Sequence, residues 1–174
     1  MDPNAFIDEP PEGKSRETAI RRDAGGRWWN ADVAITHPNV SAAFDGWIRL
    51  AEDGRLCLAN DINWAYVTIE GAPYTVRHVV FGEEIRVELS GGLVEPLDPS
   101  TLRLDEAGHL YCDVLEGTLA ATFSGAAMNE LADALEDDGR ALVLLGRRWP
   151  LNSSSDPLVP HREAEARVVD APQS

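Results

Sequence analysis

The chain has 174 residues, 44% of them hydrophobic with five Trp, and a net charge of −15 from 15 basic and 30 acidic residues. That length suits one domain or two small lobes with a real core, and no run approaches the roughly 18 apolar residues of a membrane span. So acidic a surface is repelled by phosphate backbones, which argues against general nucleic-acid binding and leaves solubility as the plain meaning of the charge.

The first residues carry neither a basic stretch nor an apolar one of the secretory kind, so a cytoplasmic location is expected. Residues 1–22 are rich in Pro, Glu and Arg and read as a flexible arm. A first lobe over 23–92 follows. Gly25-Gly26 opens a strand at Arg27-Trp28-Trp29, Asn30-Ala31-Asp32 turns it, and Val33-Ala34-Ile35 returns. Pro38 suits a first helical position, and Val40, Ala43, Phe44, Trp47, Ile48 and Ala51 fall at helical spacing, which predicts a helix over 38–52. Strands are predicted at 55–59 and 64–70, the second alternating Ala65, Val67 and Ile69 with Tyr66, Thr68 and Glu70. Residues 74–81 and 84–89 form a hairpin about Gly82.

A second lobe is placed at 93–151. Strands are predicted at 101–104, 110–115 and 118–123, then a helix over 125–138 capped by Ser124. Ala141–Leu145 reads as a buried strand, and Trp149-Pro150-Leu151 closes the fold. Residues 152–174 read as a flexible tail, so a chain trimmed to about 21–154 is expected to keep its stability. The fold class is α+β with mostly antiparallel pairing. Residues 51–76 written over 105–130 place Glu52, Gly54, Leu56, Thr68, Gly71 and Ala72 on Glu106, Gly108, Leu110, Thr122, Gly125 and Ala126. Identities at one constant offset suggest a duplication, two similar antiparallel-sheet-plus-helix lobes in which Thr68 and Thr122 are equivalent; chance and convergent turn chemistry are the alternatives.

These residues resemble a known family, the bacterial domain of unknown function 1285. The resemblance rests on Gly26-x-Trp28, Ile35-x-x-Pro38, Phe44, Asp53-Gly54-Arg55, Leu58 and Glu70-x-Ala72-Pro73. In the second half it rests on Leu119, Ser124-x-Ala126, Leu131 and Gly146 with Trp149-Pro150-Leu151. It implies a duplicated α+β core whose second lobe is loosely pleckstrin-homology-like. It also implies a small, nucleotide-like ligand in a groove between the lobes and a regulatory or signalling role without established catalysis. The family pattern Leu-x-Thr-Pro-x-Glu-Lys is replaced here by Leu58 to Trp64, with Asn60, Asn63 and Trp64 at its polar positions.

The candidate ligand-binding residues are Trp64, Arg77, Arg147, Trp28 and Asn63. Arginines concentrated in an acidic chain can hold an anion, and Trp rings can stack on a planar ligand; ordinary surface charge and core packing are the bland alternatives. A small anionic or planar molecule is the expected partner, with no nucleic acid, membrane, metal or cofactor. His37, His78, His109 and His161 are scattered, and no HExxH, GxSxG or phosphate-cradling loop is present. Cys57 and Cys112 lie in strand-like runs and are expected to be buried thiols. No catalytic residue is assigned. A protein-interaction module using a sheet edge or apolar patch is the alternative function, and an enzyme with cleft carboxylates is the least favoured.

Overall fold

The structure is a computed structural model and describes residues 15–161. The arm and tail expected at the two ends therefore lie partly outside the described residues. Short apolar strands punctuated by Gly and Asp turns give an α+β fold dominated by sheet. It divides into two units: residues up to Pro73 with Ser90–Gly92, and Tyr74–Leu89 with Leu93 onward.

The first unit holds β1 (Ile20–Arg22), β2 (Trp28–Asn30), β3 (Val33–Ala34), α1 (Pro38–Trp47), β4 (Ile48–Leu50), β5 (Leu56–Ala59), β6 (Trp64–Tyr66) and β7 (Thr68–Ile69). One sheet runs β3-β2-β1-β7 and the other β4-β5-β6. Among the described residues, the only parallel pair here is β1 with β7, Arg21 opposite Thr68. The flexible arm expected over 1–22 is corrected at its described end. Ile20–Arg22 is a strand in the middle of a sheet, Tyr66 N donates to Arg16 O, and Thr18 Oγ1 donates to Tyr66 O. Polar composition hid this because backbone pairing needs no apolar side chain.

The second unit holds β8 (Tyr74–Val80), β9 (Arg86–Leu89), β10 (Val94–Pro96), a 3-10 turn at Pro99–Thr101, β11 (Arg103–Leu104), β12 (Leu110–Val114), β13 (Leu119–Phe123), α2 (Gly125–Leu131), β14 (Leu135–Glu136), β15 (Ala141–Leu144), β16 (Arg147–Pro150) and β17 (Asn152–Ser153). A seven-stranded sheet runs β10-β9-β8-β13-β12-β11-β17, beside a three-stranded sheet β14-β15-β16. The unit boundary falls after Pro73 rather than after residue 92. The hairpin β8–β9 pairs with β13, Thr75 opposite Thr122, and so belongs with the second unit. The tail expected from residue 152 begins as a strand, since Asn152 and Ser153 pair in parallel with Arg103 and Leu104.

Two predicted helices end early. Ile48 fits the apolar stripe predicted for α1, yet Ile48, Arg49 and Leu50 pair with Leu58, Cys57 and Leu56 as strand. The helix over 125–138 stops at Leu131, and Leu135–Glu136 becomes β14 opposite Leu142 and Ala141. Three carboxylates at a helix C-terminus oppose its dipole, and Asp137 and Asp138 adopt left-handed backbone instead. Ser124 does cap α2, accepting from Ala127 N at 3.2 Å. Both cysteines are buried and free.

Candidate functional site

The residues singled out from sequence are divided between the two units. Trp28 is 1% exposed, donates from its indole N–H to buried Asp45 at 2.9 Å, and packs edge-on against Phe44. Trp64 is buried with Ala51 and Cys57, edge-on to Tyr66 and under the Arg16 guanidinium at 4.9 Å. These two rings are core rather than groove walls, a correction with a simple cause: each heads a short strand whose inward position needs volume. Asn63 is exposed and ties Arg16 Nη1 through its side-chain oxygen. Arg77 is exposed on β8, and Arg147 lies over Trp149 at 4.2 Å on β16, in a different sheet. Trp28, Asn63 and Trp64 belong to the first unit, Arg77 and Arg147 to the second.

Within the second unit the chain builds a different feature, a cavity of about 680 Å³. Its first wall is β10, which contributes Glu95 and Pro96. Asp98 then caps the 3-10 turn, accepting from Ser100 N at 3.0 Å and Ser100 Oγ at 2.6 Å. Thr101 Oγ1 donates to Asp98 O at 2.8 Å and accepts from Asp113 N at 3.1 Å, which joins the turn to β12. The turn after β12, Leu115-Glu116-Gly117, is left-handed at all three residues, and Glu116 and Gly117 line the cavity. Leu115 N donates to Glu95 Oε1 at 2.9 Å, so the two ends of the lining are tied directly.

The floor carries a buried ion pair. Asp113 interrupts the apolar run Leu110–Val114, with its side chain 2% exposed, and Arg103 Nη1 donates to Asp113 Oδ1 at 2.8 Å. Arg103 also donates to Thr101 O at 2.8 Å and, from Nε and Nη2, to Pro157 O at 3.0 and 2.7 Å. His161 N gives Asp113 Oδ2 its partner at 2.6 Å, and His161 completes the lining. A buried carboxylate needs this degree of satisfaction to stay charged without large cost.

Asp113 is thus neutralised, whereas Glu95, Asp98 and Glu116 have no ion-pair partner among the described residues. Burial raises the Glu95 carboxyl above its ordinary titration, the Leu115 amide opposes this, and Glu116 adds to it by repulsion. A cavity so lined favours positive charge and hydrogen-bond donors and disfavours phosphate. Among the described residues no group of three or more His, Cys, Asp or Glu is placed to hold a metal ion.

Sequence reasoning missed this set. The available signals were carboxylate and guanidinium inside apolar strands, Asp113 and Arg103, because a buried charge is the informative departure from pattern. The cap Asp98-Pro99-Ser100 was a second.

No family model matches this chain. No curated protein matches it. Among solved structures, it is similar to a DUF1285 family protein from Silicibacter pomeroyi DSS-3, at 19% identity and a TM-score of 0.60, covering 90% of this chain and 87% of that one. It is also similar to a DUF1285 family protein from Shewanella baltica OS155, at 18% identity and a TM-score of 0.54, covering 68% of this chain and 94% of that one. At these identities the likeness is one of fold, and the chain has the fold of these proteins.

Proposed function

We propose that this chain is a divergent DUF1285 protein built from one α+β unit used twice, and that its second copy serves as a non-catalytic small-molecule-binding module with a regulatory role. Several pairings support the repeat, because each recurs with both partners advanced by 54 residues. Arg49 opposite Cys57 and Leu50 opposite Leu56 correspond to Arg103 opposite Tyr111 and Leu104 opposite Leu110. Arg21 opposite Thr68 and Arg22 opposite Ile69 correspond to Thr75 opposite Thr122 and Val76 opposite Phe123. Three hydrogen bonds follow the same rule: Ala51 N to Arg55 O with Asp105 N to His109 O, Gly54 N to Ala51 O with Gly108 N to Asp105 O, and Glu70 N to Arg22 O with Ser124 N to Val76 O.

The copies differ where the cavity lies. Ahead of β4 the first copy has the ten-residue helix α1, carrying Phe44 and Trp47. Ahead of β11 the second has the three-residue turn Pro99–Thr101. The same offset sets Asp98 against Phe44, Thr101 against Trp47, Asp113 against Ala59 and Glu116 against Ile62. A shorter connection with polar residues leaves room and supplies charge where the first copy has apolar side chains.

The observation that carries the reading is the acid-lined cavity of about 680 Å³, within the range of ligand pockets. Its charge calls for an organic cation, opposite in sign to the ligand expected from Arg77 and Arg147. Two buried free thiols suit a reducing compartment and support a cytoplasmic setting.

Calorimetry and melting temperature against a diamine, a polyamine, a guanidinium compound and a quaternary ammonium, with AMP as the anionic control, test this. A cation should bind, with affinity falling on the order of tenfold in Glu95→Gln and in Glu116→Gln. Response to AMP alone, or no response to any cation, rejects the assignment.

A further inference from the structure

A second cavity in the same unit, of about 230 Å³, shares no lining residue with the acid-lined one. Leu104 of β11 and Leu110 of β12 contribute apolar wall, joined by Met128 of α2, Leu135 of β14 and Leu151. Its volume lies below the roughly 300–1,000 Å³ typical of drug-sized ligands, so it suits a few carbons rather than a nucleotide. Asp138 and Arg140, both exposed, complete the lining on either side of Gly139.

The charges on this turn are not disposed alike. Asp137 and Glu136 are both taken by Arg148. Asp138 and Arg140 have no ion pair, with each other or elsewhere, among the described residues. The backbone holds them in place: Asp138 has φ +55°, Arg140 N donates to Glu136 O and Asp137 O, and Leu151 N donates to Arg140 O at 2.8 Å. One acid and one base, unpaired and set beside an apolar cavity, match a molecule that carries both charges next to a short hydrocarbon chain.

We propose that this cavity binds a free aliphatic α-amino acid. Its hydrocarbon side chain sits among Leu104, Leu110, Met128 and Leu135, its ammonium faces Asp138, and its carboxylate faces Arg140. A simple carboxylate uses only Arg140 and a simple amine only Asp138, so neither matches both charges.

The test uses the full chain with leucine, methionine, glycine, 4-methylpentanoate and 3-methylbutylamine, followed by calorimetry and melting temperature. Leucine or methionine should raise the melting temperature at millimolar concentration, glycine should not, and the two single-charge analogues should bind more weakly. Asp138→Asn, which asparagine's tolerance of left-handed backbone allows, and Arg140→Gln should each weaken leucine binding on the order of tenfold while leaving the unliganded melting temperature unchanged. No shift with leucine or methionine overturns the proposal. So does binding of 4-methylpentanoate as tight as leucine, or leucine affinity unchanged in both variants.

Discussion

At Glu95, burial and the neighbouring Glu116 favour the neutral carboxyl, and the Leu115 amide favours the charged one. Burial wins, so the folded-state titration lies above the ordinary glutamate value of 4.5. The neutral acid therefore contributes stability below that pH, and the contribution is lost as pH rises through the folded-state titration. Glu95→Gln keeps an acceptor for Leu115 N and carries no charge at any pH. Its melting temperature should match the wild type near pH 4 and exceed it near pH 7 by roughly 1–3 °C, the scale of a sub-kcal change in a chain this long. An equal difference at both pH values rejects the account. Residues of this kind were half legible in the sequence. Asp113 in Leu-Tyr-Cys-Asp-Val could be flagged from pattern alone, but Glu95 stands beside Pro96 in a short stretch punctuated by Gly and Pro and shows its environment only when Leu115 reaches it.

Element existence was legible wherever period and punctuation agreed. The β8–β9 hairpin, the Pro38 start of α1 and the Ser124 cap of α2 all stand where turn and cap chemistry put them. Element ends were not, because Trp47, Ile48 and Ala51 satisfy a helical stripe and a strand equally until a partner strand exists. What stops α1 is tertiary. Gly46 lies against Gly91, and a Cβ on Gly91 would sit 2.4 Å from Gly46 N, at a φ of +82°. No side-chain rotation relieves a backbone clash of that kind. Gly91→Ala should cost about 3 kcal/mol or more, measured by urea denaturation, because it combines left-handed strain with overpacking. A loss under about 1 kcal/mol would mean that the two backbones move apart freely.

For the molecule as a whole, the constant offset was visible as scattered identities, and the structure gives those positions common pairings: Leu56 and Leu110 end matching hairpins, Gly54 and Gly108 turn them. The cavity was invisible because none of its lining residues falls on one of those identities. The end of the chain was misjudged for a related reason, since Pro157 acts through its carbonyl, which no side-chain pattern announces. Removing residues 155–174 takes Pro157 O from Arg103 and His161 N from Asp113. Stability should fall by about 2–4 kcal/mol, seen as a melting temperature lower by roughly 5–15 °C. A shortened chain that melts within a degree or two of the full one refutes this.

The same clamp sets an order on biosynthesis. Arg103 leaves the ribosome 54 residues before the carbonyl that receives two of its donors. At about 5–20 residues per second, that interval is roughly 3–10 s. Through it, the nascent second unit holds a guanidinium and a carboxylate that water must solvate, while the first unit already has all of its strands. A stop codon or frameshift shortly before Pro157 therefore yields a product with one finished half and one that lacks its clamp, a better substrate for quality-control proteases than the full chain.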